Sequence, residues 1–138
     1  MAAKHVNAYK TIGNLFSNEE GVVKLTYEFT EDGGATTDTY RLAFVDRKIL
    51  VTNAVVQVET ACAGATAVVT IGAEVADADG FLDAASGIVA NLVDDFTEKE
   101  ATGQKLVIGA DDYITLAIAT AALTAGKINL FLSYRNAA

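Results

Sequence analysis

The stretch Ile49-Leu50-Val51-Thr52-Asn53-Ala54-Val55-Val56-Gln57-Val58-Glu59-Thr60 decides the fold class. It is rich in β-branched residues, and in its second half Val56 and Val58 alternate with Gln57 and Glu59. A period of two places the valines on one face of a strand and the polar pair on the other. The next segment, Ala63-Gly64-Ala65, is too short and too small for a crossover helix. The run Ala67 to Ile71 is therefore expected to return antiparallel to the first. Asp77-Ala78-Asp79-Gly80 then reads as an acidic loop, with Phe81 and Leu82 re-anchoring the chain in the core.

Outward from this stretch the same pattern recurs. Val23, Leu25, Tyr27 and Phe29 share one face of a strand over 22–29, and Glu31-Asp32-Gly33-Gly34 has the residues of a hairpin turn. Its expected partner spans 36–45, with Tyr40, Leu42 and Phe44 inward. Three later strands are expected at 105–108, 113–120 and 127–134. In these, Ile114, Leu116 and Ile118 share one face, and Ile128, Leu130, Leu132 and Tyr134 share another. Between them, Ile88, Val89, Leu92, Val93 and Phe96 recur at helical spacing, with Asp83 or Ser86 able to cap. The expectation is an all-β, single antiparallel β-sandwich or jelly-roll-like domain over 21–138, with at most one short helix. Residues 1–20 show no sustained period and are expected to form an extended arm. Its apolar side chains Ile12, Leu15 and Phe16 would dock on a neighbouring subunit.

Composition narrows the function classes. Of 138 residues, 51% are hydrophobic. Exchanging the 5 Tyr for the 11 Gly in that count gives about 55% apolar, above the usual ~45–50%. An excess of that kind in a small chain points to a homo-oligomer or a partner that covers apolar surface. The net charge of −8 argues against a phosphate backbone or an anionic membrane as partner. The single cysteine, Cys62, rules out an intrachain disulfide, and Met1 to Lys10 has no apolar stretch of a secretory signal, so synthesis in the cytoplasm is expected.

Chemistry is sparse. His5 is the single histidine and lies far from any nucleophile in sequence. Asp77, Asp79 and Asp83 offer oxygen ligands for Ca²⁺, but Gly80 comes too early for an EF-hand loop and no Glu closes it, so a solvated acidic turn is the simpler reading. No catalytic residue and no cofactor is expected.

The segments 55–60, 68–72 and Asp77-Ala78-Asp79-Gly80-Phe81-Leu82-Asp83-Ala84, with 109–120 and Gly126-Lys127-Ile128-Asn129-Leu130-Phe131-Leu132-Ser133-Tyr134 as a final hairpin, resemble the head decoration (cement) proteins of tailed bacteriophages. The resemblance covers roughly 49–134. It implies a β-sandwich or jelly-roll module, often trimeric, bound to the major capsid protein on the outer surface of an HK97-like shell and stabilising it, hence a virion location. Phe81 and Phe131 join Ile12, Leu15 and Phe16 as candidate interface residues, with ordinary core packing the simpler reading for Phe81 and Phe131. The alternative expectation is a carbohydrate- or receptor-binding β-sandwich module of a phage fibre, against which the absence of Trp counts.

Overall fold

The computed structural model describes residues 4–12, 20–34, 38–64, 66–85, 95–98 and 106–137. Ten strands and one helical turn follow in the order β1 (Lys4–Ile12), β2 (Glu20–Glu28), α1 (Phe29–Asp32), β3 (Thr39–Val45), β4 (Ile49–Ala63), β5 (Val68–Ala73), β6 (Asp77–Ala85), β7 (Asp95–Glu98), β8 (Leu106–Ile108), β9 (Asp112–Ala119) and β10 (Ala125–Asn136). One sheet, sheet A, has the order β1-β3-β9-β5-β6; the other, sheet B, has the order β2-β10-β4-β7, with β8 also paired to β4. Since β10 takes the other side of β4, β7 and β8 share one edge, against Val55–Val58 and Ile49–Val51 respectively.

With β1 set aside, β3-β9-β5-β6 packed on β2-β10-β4-β7 is the strand order of a jelly roll. The chain therefore crosses between sheets at almost every turn. Among the described strands only β5 and β6 are consecutive and paired with each other; β7 and β8, also consecutive, share one edge of sheet B. Three expected hairpins are corrected by this. β2 and β3 lie in different sheets, as do β4 and β5, and the closing pair β9 and β10. Side-chain bonds hold the crossings. The Asp32 carboxylate accepts the Glu28 N–H at 2.8 Å, and the Tyr27 hydroxyl donates to the Gly33 carbonyl, which folds 29–34 into an arch instead of a two-strand turn.

The acidic segment is corrected too. Asp77 to Gly80 is the start of β6, not a loop. The reversal lies at 74–76, because the buried Asp112 carboxylate accepts the N–H groups of Val75 and Ala76, each at 3.0 Å. Of the expected helix, Ile88, Val89, Leu92 and Val93 lie outside the described residues, and Phe96 belongs to a strand.

Alternation places the core as expected in β4, β9 and β10: Val56, Val58, Ile114, Leu116, Ile118, Ile128, Leu130 and Leu132 are all buried between the sheets. β3 departs from strict alternation. Its register against β9 shifts between Arg41 and Ala43, so Leu42, Ala43 and Val45 are buried and Phe44 turns outward. A bulge inserts one residue and moves the following side chains to the opposite face.

Lys4–Ile12 is a strand of the sandwich. It runs parallel to β3, the one parallel pair among the described strands, and buries Val6 and Ile12. The Ile12 carbonyl accepts from Asp46 N–H at 3.0 Å. Ile12 is thus in this chain's own core and is not presented to a neighbour.

Candidate interaction surfaces

The expected contact residues separate on inspection. Phe81 is fully buried, so its ring fills the core between the sheets. Phe131 does face outward on β10, half-buried, with the Lys24 ammonium 6.0 Å from its ring centroid. Leu15 and Phe16 lie outside the described residues. Asp77, Asp79 and Asp83 fall on β6, an edge strand of sheet A. Among the described residues no group of three or more His, Cys, Asp or Glu side chains could hold a metal ion.

On the outer face of sheet B, successive rows have different chemistry. One end is a polar ladder. Asn129, fully buried, donates to Gln57 Oε1 and Glu59 Oε1 at 2.9 Å each and accepts from Thr26 Oγ1 at 2.8 Å. Lys127 Nζ lies 2.9 Å from Glu59 Oε2. Hydrogen bonds from Lys127 and then Asn129 hold the Glu59 carboxyl below the usual carboxylate range, and Glu59 raises Lys127 in return. A fully buried Asn is tolerated because each polar atom of its amide oxygen and nitrogen is matched.

The opposite end is apolar. Val22 of β2 is 74% exposed, Val107 of β8 is 42% exposed, and Leu50 pairs with both Val107 and Arg135. Val22, Leu50, Gly21, Thr52, Ser133, Tyr134 and Arg135 bound a groove of about 670 Å³. Two of the three exposed large hydrophobic residues among those described lie on this end; the third, Val75, is on the β5–β6 turn. The earlier signal was Val22 itself. It neighbours Val23 in a strand whose inward set is Val23, Leu25 and Tyr27, so it must face out.

Sheet A has a different outer face, built around Tyr113. The Arg41 guanidinium carbon sits 3.7 Å from the Tyr113 ring centroid, and Nη2 lies 3.2 Å from Glu74 Oε2. Phe44 tilts against Tyr113 with centroids 5.3 Å apart, and His5 stacks on Tyr9 at 4.0 Å. Partial burial, then the neighbouring Tyr113, raise the Tyr9 hydroxyl above its ordinary value, with Arg41 opposing. Sequence reading missed this cluster because it depends on the β3 bulge that turns Phe44 outward.

No family model matches the sequence, and no curated protein sequence matches it. Solved structures do. One is a chain of the capsid asymmetric unit of cyanophage Pam1 (TM-score 0.61, 18% identity, 90% of this chain and 89% of that one). Another is a chain of the acid-stable capsid of Helicobacter pylori bacteriophage KHP30 (0.64, 15%, 88% and 90%). A third is a chain of the capsid of Ralstonia phage GP4 (0.61, 13%, 93% and 91%). The fold is shared with chains of phage capsids. At such low identity the likeness lies in the fold, and it spans nearly the whole jelly roll.

Proposed function

We propose that this chain is a bacteriophage capsid decoration protein that binds the outer surface of the shell, with the major capsid protein as partner, and stabilises it. One observation supports the reading most. Mutual coverage near nine-tenths with chains from three phage capsids makes those chains about as long as this one, so the likeness is to a small capsid component and not to a fragment of a larger one. The physics is compatible. The apolar end of sheet B gives a contact surface, with Phe131 beside it, and many symmetric copies add avidity to a modest interface. Such a protein strengthens seams by burying additional area between capsomers; a standard interface buries roughly 1,200–2,000 Å².

The test is to mix purified protein with shells assembled without it. Co-sedimentation at a fixed copy number, with better survival of heat, is the expected result. Shells that neither retain the protein nor gain heat resistance would overturn the proposal.

A further inference from the structure

Two irregularities of sheet A fall at the same place. Between His5 and Lys10, β1 advances five residues while β3 advances two, from Arg41 to Ala43. The register of β3 against β9 also shifts between Arg41 and Ala43. Along a regular strand, side chains four residues apart are separated by about 13 Å. The excess chain in β1 instead folds His5 onto Tyr9, with ring centroids 4.0 Å apart and planes 4° from parallel. It is held by the buried Val6 and by the Asn7 N–H, which donates to Asp32 Oδ1 at 2.7 Å. Bulges re-aim side chains, and they are over-represented beside active sites.

What gathers there is one cluster of rings and polar tips. The His5 ring lies 6.3 Å from that of Tyr113, tilted by 37°. The Glu74 N–H donates to the Tyr113 carbonyl at 2.8 Å, which seats the Arg41–Glu74 pair beside that ring. His5 is exposed, and Tyr9, Phe44 and Tyr113 are half-buried. The Arg41 and Glu74 side chains are 26% and 37% exposed. Among the described residues the Tyr9 and Tyr113 hydroxyls and the His5 ring nitrogens have no hydrogen-bond partner, and Arg41 Nε is buried without one.

We propose that this cluster is a binding site for a neutral saccharide. A sugar ring has C–H faces that pack on aromatic rings and a rim of hydroxyls that both donate and accept. Tyrosine meets both needs, with an apolar ring and a hydroxyl at its tip. In a chain without Trp, Tyr9 and Tyr113 supply that combination. The Arg41 guanidinium only donates and the Glu74 carboxylate only accepts, so side by side they serve neighbouring hydroxyls. Their charges cancel, which favours a neutral ligand over an anion. A few polar groups set among aromatic rings is the usual make-up of a small-ligand site. The two sheets of a sandwich present their outer faces in opposite directions. On a protein held to a shell through sheet B, this face of sheet A points away from the shell. That orientation rests on the capsid reading; the chemistry of the site does not.

The test screens the full chain on an array of neutral oligosaccharides and bacterial surface polysaccharides, then titrates the captured glycans in solution. Intrinsic tyrosine fluorescence serves as the signal, because the chain has 5 Tyr and no Trp. The expected result is saturable binding of at least one neutral glycan. Its affinity should change by less than about twofold between about 50 and 500 mM NaCl, since no net charge is screened. Tyr9→Ala and Glu74→Ala should each weaken glycan binding about tenfold or more, while Val22→Asp, on the other sheet, leaves it within about twofold. Circular dichroism would verify folding, and Glu74→Ala, at an exposed residue, keeps the test open if Tyr9→Ala does not fold. Capture of no neutral glycan, capture only of anionic glycans that salt removes, or wild-type affinity in either folded variant overturns the proposal. Loss of shell binding in Tyr9→Ala with no glycan bound overturns it too, and assigns the cluster to the shell contact. Glycan binding without affinity for shells would remove the capsid reading and leave this one standing.

Discussion

At Asp38 a carboxylate with 3% of its side chain exposed holds the first strand in place. Lys4 Nζ lies 2.8 Å from Oδ2, and the Tyr40 hydroxyl donates to the same oxygen at 3.0 Å. Those two bonds, Lys4 first, hold the Asp38 pKa below its ordinary value despite burial. The sign follows from linkage. A carboxylate with a depressed folded pKa contributes stability that is complete above the unfolded value and is lost as pH falls through the folded one. β1 should therefore loosen in acid. Hydrogen-exchange protection across 4–12, taken relative to the intrinsic rate at each pH, should fall as pH drops below about 4, ahead of protection in β9. Asp38→Asn should lower the melting temperature at neutral pH and flatten this acid dependence; an unchanged pH profile in that variant would assign the effect to another group. Cys62 offers a second check. It is buried and burial pushes its thiol up to about 11, so thiol reagents at pH 8 should label it only after denaturant is added.

At the scale of elements, the legible and the illegible parts of the sequence separate by physical cause. Alternation encodes which face of a strand is buried, and it placed Val56 and Val58, Ile114 to Ile118, and Ile128 to Leu132 correctly. It says nothing about which strand lies alongside. Glycine-rich and small-residue breaks serve an arch between sheets as well as a hairpin within one, so Glu31-Asp32-Gly33-Gly34, Ala63-Gly64-Ala65 and Ala121 to Gly126 read as hairpins and fold as crossings. The discriminating bonds are long-range. The Leu123 N–H meets the Gly34 carbonyl at 2.8 Å, and the Thr124 N–H meets the Ala63 carbonyl at 2.9 Å, tying three crossings together at one end. Gly64 sits within this knot at φ +135°, and a Cβ there would lie 2.6 Å from the Ala122 carbonyl oxygen. Both backbone strain and a main-chain clash oppose any side chain. Gly64→Ala should cost about 1–3 kcal/mol or more, measured by denaturant unfolding. A neutral outcome would mean that the crossings are not packed as described. The candidate surfaces were less legible still, since outward Phe44 depends on a bulge and the Val22–Leu50–Val107 patch joins three strands distant in sequence.

For the whole molecule, what matters is which surface remains after folding has taken its share. Among the described residues the core accounts for most large apolar side chains, and the apolar end of sheet B carries two of the three that stay exposed. If shells are bound there, binding should respond to position and not merely to the loss of an exposed valine. Val22 and Val75 make a matched pair: 74% and 79% exposed, the first on the groove, the second on the β5–β6 turn of the other sheet. Neither side chain packs in the core, so aspartate at either should change stability by no more than about 0.5 kcal/mol. A charge in the centre of a desolvated contact is far more costly than one outside it. Val22→Asp should therefore reduce shell binding at least about tenfold while Val75→Asp leaves it within about twofold, read by co-sedimentation across a concentration series. Equal loss in both variants would show that charge alone governs attachment. Equal retention would move the contact to another face, with the aromatic cluster around Tyr113 next in line.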